Sequence, residues 1–361
     1  MDFIPIYQPC LKGNELEYVS SAVKSSWVSS KGDFIGRFEQ SFADYLGIKY
    51  AVGTNTGTSA CHLSCIATGM GPGDEVIVPN LSFVATANAV KYCGAKPIFI
   101  DIDKNSWNLN INLLENVITS KTRSVFPVHL FGNPCDMDRI IKFCDYYGVN
   151  LIEDCAEAIG AKYKNKLLGT FSQSAAFSFF GNKHITCGEG GMIVTNDKLI
   201  YDKIQLYKGQ GQTSIYYHKV VGYNYRMTNL QAALGAAQLE RIEYILLRKR
   251  EIFQTYQKLL SNFVGQYCSP ENLHGNWMFS CLVKNRKKLQ QELARHNIDS
   301  RRMFYPINQL PPYRDGKRYP VSEFVSKHGI VLPSYPDLTD DQLSYICGVV
   351  NKYAKPIQIL E

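Results

Sequence analysis

The chain is expected to fold as an α/β protein, with a large, mostly parallel sheet flanked by helices and a smaller C-terminal α/β domain. Three observations predict this. From about residue 50, strand and helix signals alternate. The strand runs, such as Val76-Ile77-Val78 and Ile98-Phe99-Ile100, are apolar without alternation, which marks strands buried on both faces. The length, 361 residues, exceeds one simple core and favours two units.

The elements read in order as follows. "KYAVGT" is a short strand and "TSACHLSCIATGM" a helix with Ala60, Leu63 and Ala67 on one face. "DEVIVPN" is a strand, "FVATANAVKYCG" a helix, "KPIFIDID" a strand and "LNINLLENVI" helical. "TRSVFPVHLFG", "MDRIIKFCDYYG" and "VNLIEDC" continue as strand, helix and strand. The pattern changes after about residue 225, where "MTNLQAALGAAQLERIEYILLRKREIFQTYQKLL" reads as one long helical stretch. "WMFSCLVK" and "RKKLQQELARHN" then give a strand and a helix. In "TDDQLSYICGVVNKY", Thr339 and Gln342 have capping-box spacing. Residues 1–245 are expected to form the large domain and 246–361 the small one, with the segment 1–15 packing against the small domain.

Composition narrows the function. At 45% hydrophobic and 20% charged, without low-complexity tracts, this is an ordinary globular chain. No apolar run approaches membrane-spanning length. "MDFIPIYQPCLKG" lacks the basic-then-apolar pattern of a signal peptide, so a cytoplasmic protein is expected. Eleven cysteines lie mostly inside apolar runs and read as reduced core residues. Cys61, His62 and Cys65 lack C-x-x-C spacing and fall on a helix whose core face takes both thiols, so no metal is expected. The net charge of +7 includes clusters at 246–251 and 283–290, but no nucleic-acid module accompanies them. Solvated helix faces explain the clusters, and a mild positive balance suits a small anionic substrate.

Ligands of open α/β sheets bind beyond the carboxyl ends of the strands, and four features fall there. Gly57 and Thr58 follow a strand and open a helix, whose N–H groups and dipole make a phosphate site. No G-x-x-x-x-G-K-[ST] is present, which argues against a P-loop. Asp154 ends an apolar strand, with Glu153 beside it and Glu157 three residues on; it either pairs with a ligand cation or caps a helix. Lys183 sits in "FFGNKHITCGEGGMIVTND", between two apolar runs and among glycines. Burial there lowers a lysine pKa and makes the amine a nucleophile for carbonyls. Phe83 either stacks on a flat ring or belongs to the core. Together these describe a site for a flat, phosphorylated, cationic aldehyde, which is pyridoxal 5'-phosphate.

Across nearly its whole length the chain resembles the DegT/DnrJ/EryC1/StrS family of sugar aminotransferases, of fold type I. The resemblance rests on "GTSACHL", "GDEVIVPNLSFVATANAV", "PVHLFGNPCDMD", "IEDCAEAIGAKY", "FSFFGNKHITCGEGGMIVTND", "GYNYRMTNLQAALG" and "LPSYPDLTDDQ". It implies that Lys183 holds the cofactor as a Schiff base and then shuttles protons. It implies that Asp154 keeps the pyridine nitrogen protonated, Glu157 lies near the ring hydroxyl and Phe83 stacks on the ring. Gly57, Thr58 and Ser178 are implied to hold the phosphate. Asn224 would reach it from a neighbouring subunit, which makes a homodimer the expected active unit. Within the family, "SSWVSSKGDFIGRFE" and "GQGQTSIYYHKVVGYNYRMTN" are similar to members that aminate C4 of GDP-4-keto-6-deoxy-mannose with L-glutamate as donor. Arg226, Tyr305 and Asn308 are expected near the substrate. Asn308 stands where such members carry histidine, which leaves a UDP- or dTDP-linked 4-keto-6-deoxyglucose as the alternative substrate. A sugar 3-dehydratase is disfavoured, because its family counterparts replace the lysine by histidine. A regulator would need a DNA-binding module, which is missing from the sequence.

Overall fold

The computed structural model describes residues 2–357. Its main sheet has seven strands, in the order Tyr50–Thr54, Gly191–Thr195, Ser174–Ser178, Asn150–Asp154, Thr122–Val125, Glu75–Pro79 and Lys96–Ile100. Gly191–Thr195 runs antiparallel to both its neighbours, and the other six strands are parallel to one another. The double burial expected from the apolar runs is visible residue by residue. Val76 and Val78 enter one core while Ile77 enters the other. Ala175 and Phe177 likewise face one side and Ala176 the opposite one. One core is closed by the helices Asp33–Leu46, Met137–Tyr147 and Asn229–Leu239. The other is closed by Gly57–Ala67, Ala85–Tyr92 and Lys198–Lys208. Phe42 anchors the first, meeting Phe177 and Phe179 edge-on at 5.0 and 5.5 Å. Burying each such ring contributes about 1.5–3 kcal/mol.

A four-stranded antiparallel sheet follows, in the order Val264–Gly265, Phe279–Leu282, Gly329–Leu332 and Arg301–Arg302. Ile252, Leu289 and Leu343 pack it against the helices Ile242–Leu259, Arg286–Arg295 and Asp340–Tyr353. Ile4 joins the same core and bridges to Ile298. The capping box forms as its spacing predicts, with the Gln342 amide donating to Thr339 Oγ1 at 3.2 Å and the Thr339 amide to Gln342 Oε1 at 3.0 Å.

Two expected elements differ. The stretch read as one helix is two, Asn229–Leu239 and Ile242–Leu259. At the break the Arg241 amide turns tightly onto the Gln238 carbonyl. The Glu240 carboxylate is drawn outward by Tyr18, Arg37 and Asn14, each within 2.8 Å. "LNINLLENVI" yields only a 3₁₀ segment, Ile111–Asn116. Asn110 accepts from the Asn112 amide there, the local bond by which asparagine competes with an α-helix. Among the described residues no helix is long and apolar enough to cross a membrane.

Candidate active site

Parallel strands end at one edge, so the loops after Thr54, Pro79, Val125, Asp154 and Ser178 converge there. They meet the second sheet around a cavity of about 550 Å³. Gly57, Thr58, Phe83, Asp154, Glu157, Ser178 and Lys183, seven residues expected at a single site, all line this cavity.

Lys183 lies on the connection between Ser174–Ser178 and Gly191–Thr195. Its loop is tied at the backbone: the Lys183 amide donates to the Phe180 carbonyl at 2.9 Å, and Tyr7 donates its hydroxyl to the Lys183 carbonyl. The side chain is buried, with Nζ 3.9 Å from Glu157 Oε1 and 3.8 Å from the centre of the Trp277 ring. Burial pulls the lysine pKa below its ordinary value, against the opposing pull of Glu157 and Asp154. Glu157 moves the other way, raised by burial to about 7 although Lys183 and the Phe131 amide favour its charge. That amide reaches Glu157 Oε2 at 2.8 Å, at a residue whose φ is left-handed, +56°. Glycine suits the next residue, because Gly132 has a φ of +93° that L side chains rarely adopt and a Cβ there would stand 3.0 Å from the Glu157 carbonyl and Gly275 Cα.

A testable consequence follows for stability. Glu157 binds its proton more tightly folded than unfolded, so its contribution is present below its ordinary value of 4.5 and lost as pH rises through about 7. Urea unfolding of cofactor-free wild type and Glu157→Gln should show this. Relative to the variant, wild type should lose up to about 3 kcal/mol between these pH values. A pH-independent difference would overturn the assignment of that titration to Glu157.

Asp154 ends the central strand Asn150–Asp154. Its Oδ2 accepts from Thr86 Oγ1 at 2.6 Å and lies 3.7 Å from Cys61 Sγ; its Oδ1 accepts from the Ala156 amide at 3.0 Å. The neighbouring Glu153 points below the sheet edge, consumed by the Gly169 and Phe171 amides and Ser172 at 2.7, 3.0 and 2.8 Å. Strand alternation thus chooses between the two acids: Asp154 faces the cavity and Glu153 is structural.

The helix Gly57–Ala67 opens into the cavity. Thr56 satisfies the Ser59 and Ala60 amides, at 3.1 Å each, which leaves the first turn at Gly57 and Thr58 for an anion. Ser178 stands against this turn so closely that a Cβ at Gly57 would lie 2.6 Å from its Cβ. Phe83 is 56% exposed and tilts against Phe304 with ring centres 6.0 Å apart. The donor set fits pyridoxal 5'-phosphate: a cradle of amides and a hydroxyl at one end, a carboxylate at the sheet edge, an open aromatic face and a desolvated amine.

Four other expected residues lie elsewhere within this chain. Asn224 is exposed and accepts from Arg226 at 3.3 Å. Arg226 has a buried Nε without a partner among the described residues. Tyr305 is half exposed and lies under the Arg302 guanidinium, 3.2 Å from its ring centre. Asn308 is buried, and its side chain is shared among Asn80, Asp315 and the Lys317 carbonyl at 3.0, 3.2 and 3.0 Å. His184, next to the lysine, turns away and bonds the Gly275 carbonyl at 2.7 Å. Sequence reasoning missed Trp277, Phe131, Thr86 and the cavity cations Arg301 and Arg302. It also read Cys61 as core only, whereas this buried thiol lines the cavity.

A buried lysine facing two acids at the carboxyl edge of such a sheet defines a cofactor-dependent enzyme of carbonyl–amine chemistry. The profile of the DegT/DnrJ/EryC1/StrS aminotransferase family matches residues 9–351, and the chain belongs to that family. It is 45% identical to GDP-perosamine synthase of Escherichia coli O157:H7 over 98% of this chain and 99% of that one. It is 42% identical to GDP-perosamine synthase of Vibrio cholerae, over 97% and 99%. Among solved structures it resembles the putative sugar aminotransferase Spr1654 of Streptococcus pneumoniae in its PLP form. The TM-score is 0.91 and the identity 26%, over 97% of this chain and 98% of that one. Pyridoxal 5'-phosphate is therefore the cofactor of this aminotransferase.

Proposed function

We propose that the chain transfers the amino group of L-glutamate to C4 of GDP-4-keto-6-deoxy-mannose, yielding a GDP-linked 4-amino-4,6-dideoxy sugar of the perosamine type. The observation that carries the chemistry is the Lys183 amine, desolvated in the cavity between Glu157 and Trp277. The two GDP-perosamine synthases, similar over almost the full length, support the substrate.

When bound, the cofactor supplies an aldehyde for attachment and a protonated ring that takes up electrons from the bond broken at the donor's α-carbon. Lys183 is the attachment point, and its freed Nζ moves the proton from the donor α-carbon in one half-reaction and to sugar C4 in the other. Asp154 would keep the ring nitrogen protonated. Gly57, Thr58 and Ser178 would hold the phosphate, and Glu157 would serve the ring hydroxyl. Phe83 would supply an aromatic surface for the ring and help exclude water. Arg301 and Arg302, on the cavity wall, supply positive charge for the substrate anions.

The active unit we propose is a homodimer, with Asn224 reaching the partner's phosphate site and Arg226 near the substrate. The hairpin of Gln212–Ser214 and Tyr217–His218 supports this. Its Ile215 and Tyr216 are 83% and 90% exposed, an apolar tip that a second copy would bury. We propose Tyr305 near the substrate. Asn308 acts by fixing the Tyr305–Asn308 segment against Asn80. The eleven cysteines, all free, suit a reducing compartment such as the cytoplasm.

An absorbance titration tests the reading. L-glutamate should bleach the long-wavelength band of the loaded enzyme, and GDP-4-keto-6-deoxy-mannose should restore it. UDP- and dTDP-linked 4-keto-6-deoxyglucose should restore it at least tenfold more slowly, about 1.4 kcal/mol of discrimination. Restoration by one of those sugars instead would reassign the substrate, and no bleaching by glutamate would overturn the donor.

A further inference from the structure

Trp277 belongs to the segment leading into the second sheet, yet its ring is built into the lysine's surroundings from several sides. Its Nε1 donates to the carbonyl of Asn182, the residue before Lys183, at 2.6 Å. Its ring stacks on Phe131, with centres 5.7 Å apart and planes at 22°, and Phe131 stacks in turn on Phe304 at 5.7 Å and 4°. Its own carbonyl accepts from Lys249 Nζ at 2.6 Å. Lys249 is wholly buried and is spent on carbonyls: Trp277, Ser334 and the Ser334 hydroxyl are its hydrogen-bond partners among the described residues. A fully desolvated amine given to backbone oxygens costs free energy that a mere filler of the core would avoid. One of these bonds ties down the backbone that carries the indole ring, whose face lies 3.8 Å from Lys183 Nζ.

We propose that Trp277 is a positioning residue for the reaction: its ring face holds the Lys183 amine in its protonated form, and Lys249 fixes that face. This inference rests on Lys183 as the cofactor-attaching amine. The ring quadrupole favours an ammonium over a neutral amine. It therefore works with Glu157 and Asp154 against burial, keeping the lysine able to accept and return a proton. The other ionisable groups around the amine are Cys61 across the cavity and the neighbouring His184, which burial keeps neutral at a pKa of about 3. Detached from the cofactor, the amine needs a place close enough to return, and the indole surface beside Glu157 supplies one.

The test compares Trp277→Phe, which keeps an aromatic face and loses the Nε1 donor, with Trp277→Leu, which loses the face. The readout is the pH dependence of Lys183 acetylation in cofactor-free protein, followed by peptide mass. The Leu variant should show a midpoint about half a unit or more below that of the Phe variant. Its single-turnover amination should also slow at least threefold relative to the Phe variant. Lys249→Met should lower the midpoint in the same direction by loosening the ring. Equal midpoints in the Phe and Leu variants, or a higher one in Leu, would overturn the proposal even if both lose stability. Borohydride reduction of loaded wild type is the control. Cofactor recovered on the Lys183 peptide leaves the site reading standing whatever the midpoints show, and its absence there overturns both.

Discussion

Replacing Lys183 by alanine should abolish amino transfer, lowering single-turnover amination by at least about 10⁴-fold. Two separate tasks fall on the one amine. On the reading proposed above, it is the attachment point for the cofactor aldehyde and the base that removes and returns the substrate proton. No other group can take over. Glu157 Oε1 is 3.9 Å from the amine and its carboxyl is raised to about 7, but its other oxygen, Oε2, is tied to the Phe131 amide. His184 is turned to the Gly275 carbonyl and stays neutral at a pKa of about 3. The alanine variant should still bind pyridoxal phosphate, because the phosphate cradle proposed at Gly57, Thr58 and Ser178 is untouched. Equilibrium dialysis should give stoichiometric but reversible binding, and borohydride should attach no cofactor. Residual turnover above one part in about 10⁴ would show that another base serves the reaction.

The sheet was legible because its signal is local: apolar runs without alternation mean double burial, and Val76, Ile77 and Val78 divide between two cores as that rule requires. Lys183 and Asp154 were legible for a related reason, since each breaks an apolar pattern at a strand end. Trp277 and Phe131 were not. Nothing near Trp277 in sequence says that its indole meets a loop more than ninety residues earlier; the Nε1 bond to Asn182 exists only in the folded chain. Phe131 hides behind an ordinary Phe-Gly pair, and only the folded chain shows its amide on Glu157 and its φ of +56°. The misread long helix has the same origin. Its apolar period runs through the junction, while the backbone leaves the helix at Arg241 (φ −107°, ψ 11°) beside a Glu240 carboxylate held by Tyr18, Arg37 and Asn14, all from distant chain. Asn308 shows the converse: a polar residue in a substrate-like loop can be spent on holding the loop itself.

Asp154→Asn should reduce single-turnover amination by about 10²–10³-fold while leaving the fold intact. The substitution preserves volume, and the Ala156 amide at 3.0 Å can still donate to the amide oxygen. With the oxygen on that side, the new NH₂ faces Thr86, whose hydroxyl now donates at 2.6 Å and would have to rotate to accept. In neither orientation can a neutral amide hold a proton on a pyridine nitrogen, because it offers no charge to balance the cation. The loss should therefore fall on the chemical step, with cofactor binding weakened far less than turnover. A cofactor analogue methylated at the ring nitrogen separates the two explanations, because it carries its positive charge permanently. If Asp154 serves to maintain that charge, the analogue should close much of the gap between variant and wild type. If it serves only to orient the ring, the analogue should leave the variant as slow as before. That second outcome would move the acid's role from electrostatics to positioning, with Thr86, Cys61 and the Ala156 amide as the frame that aims it.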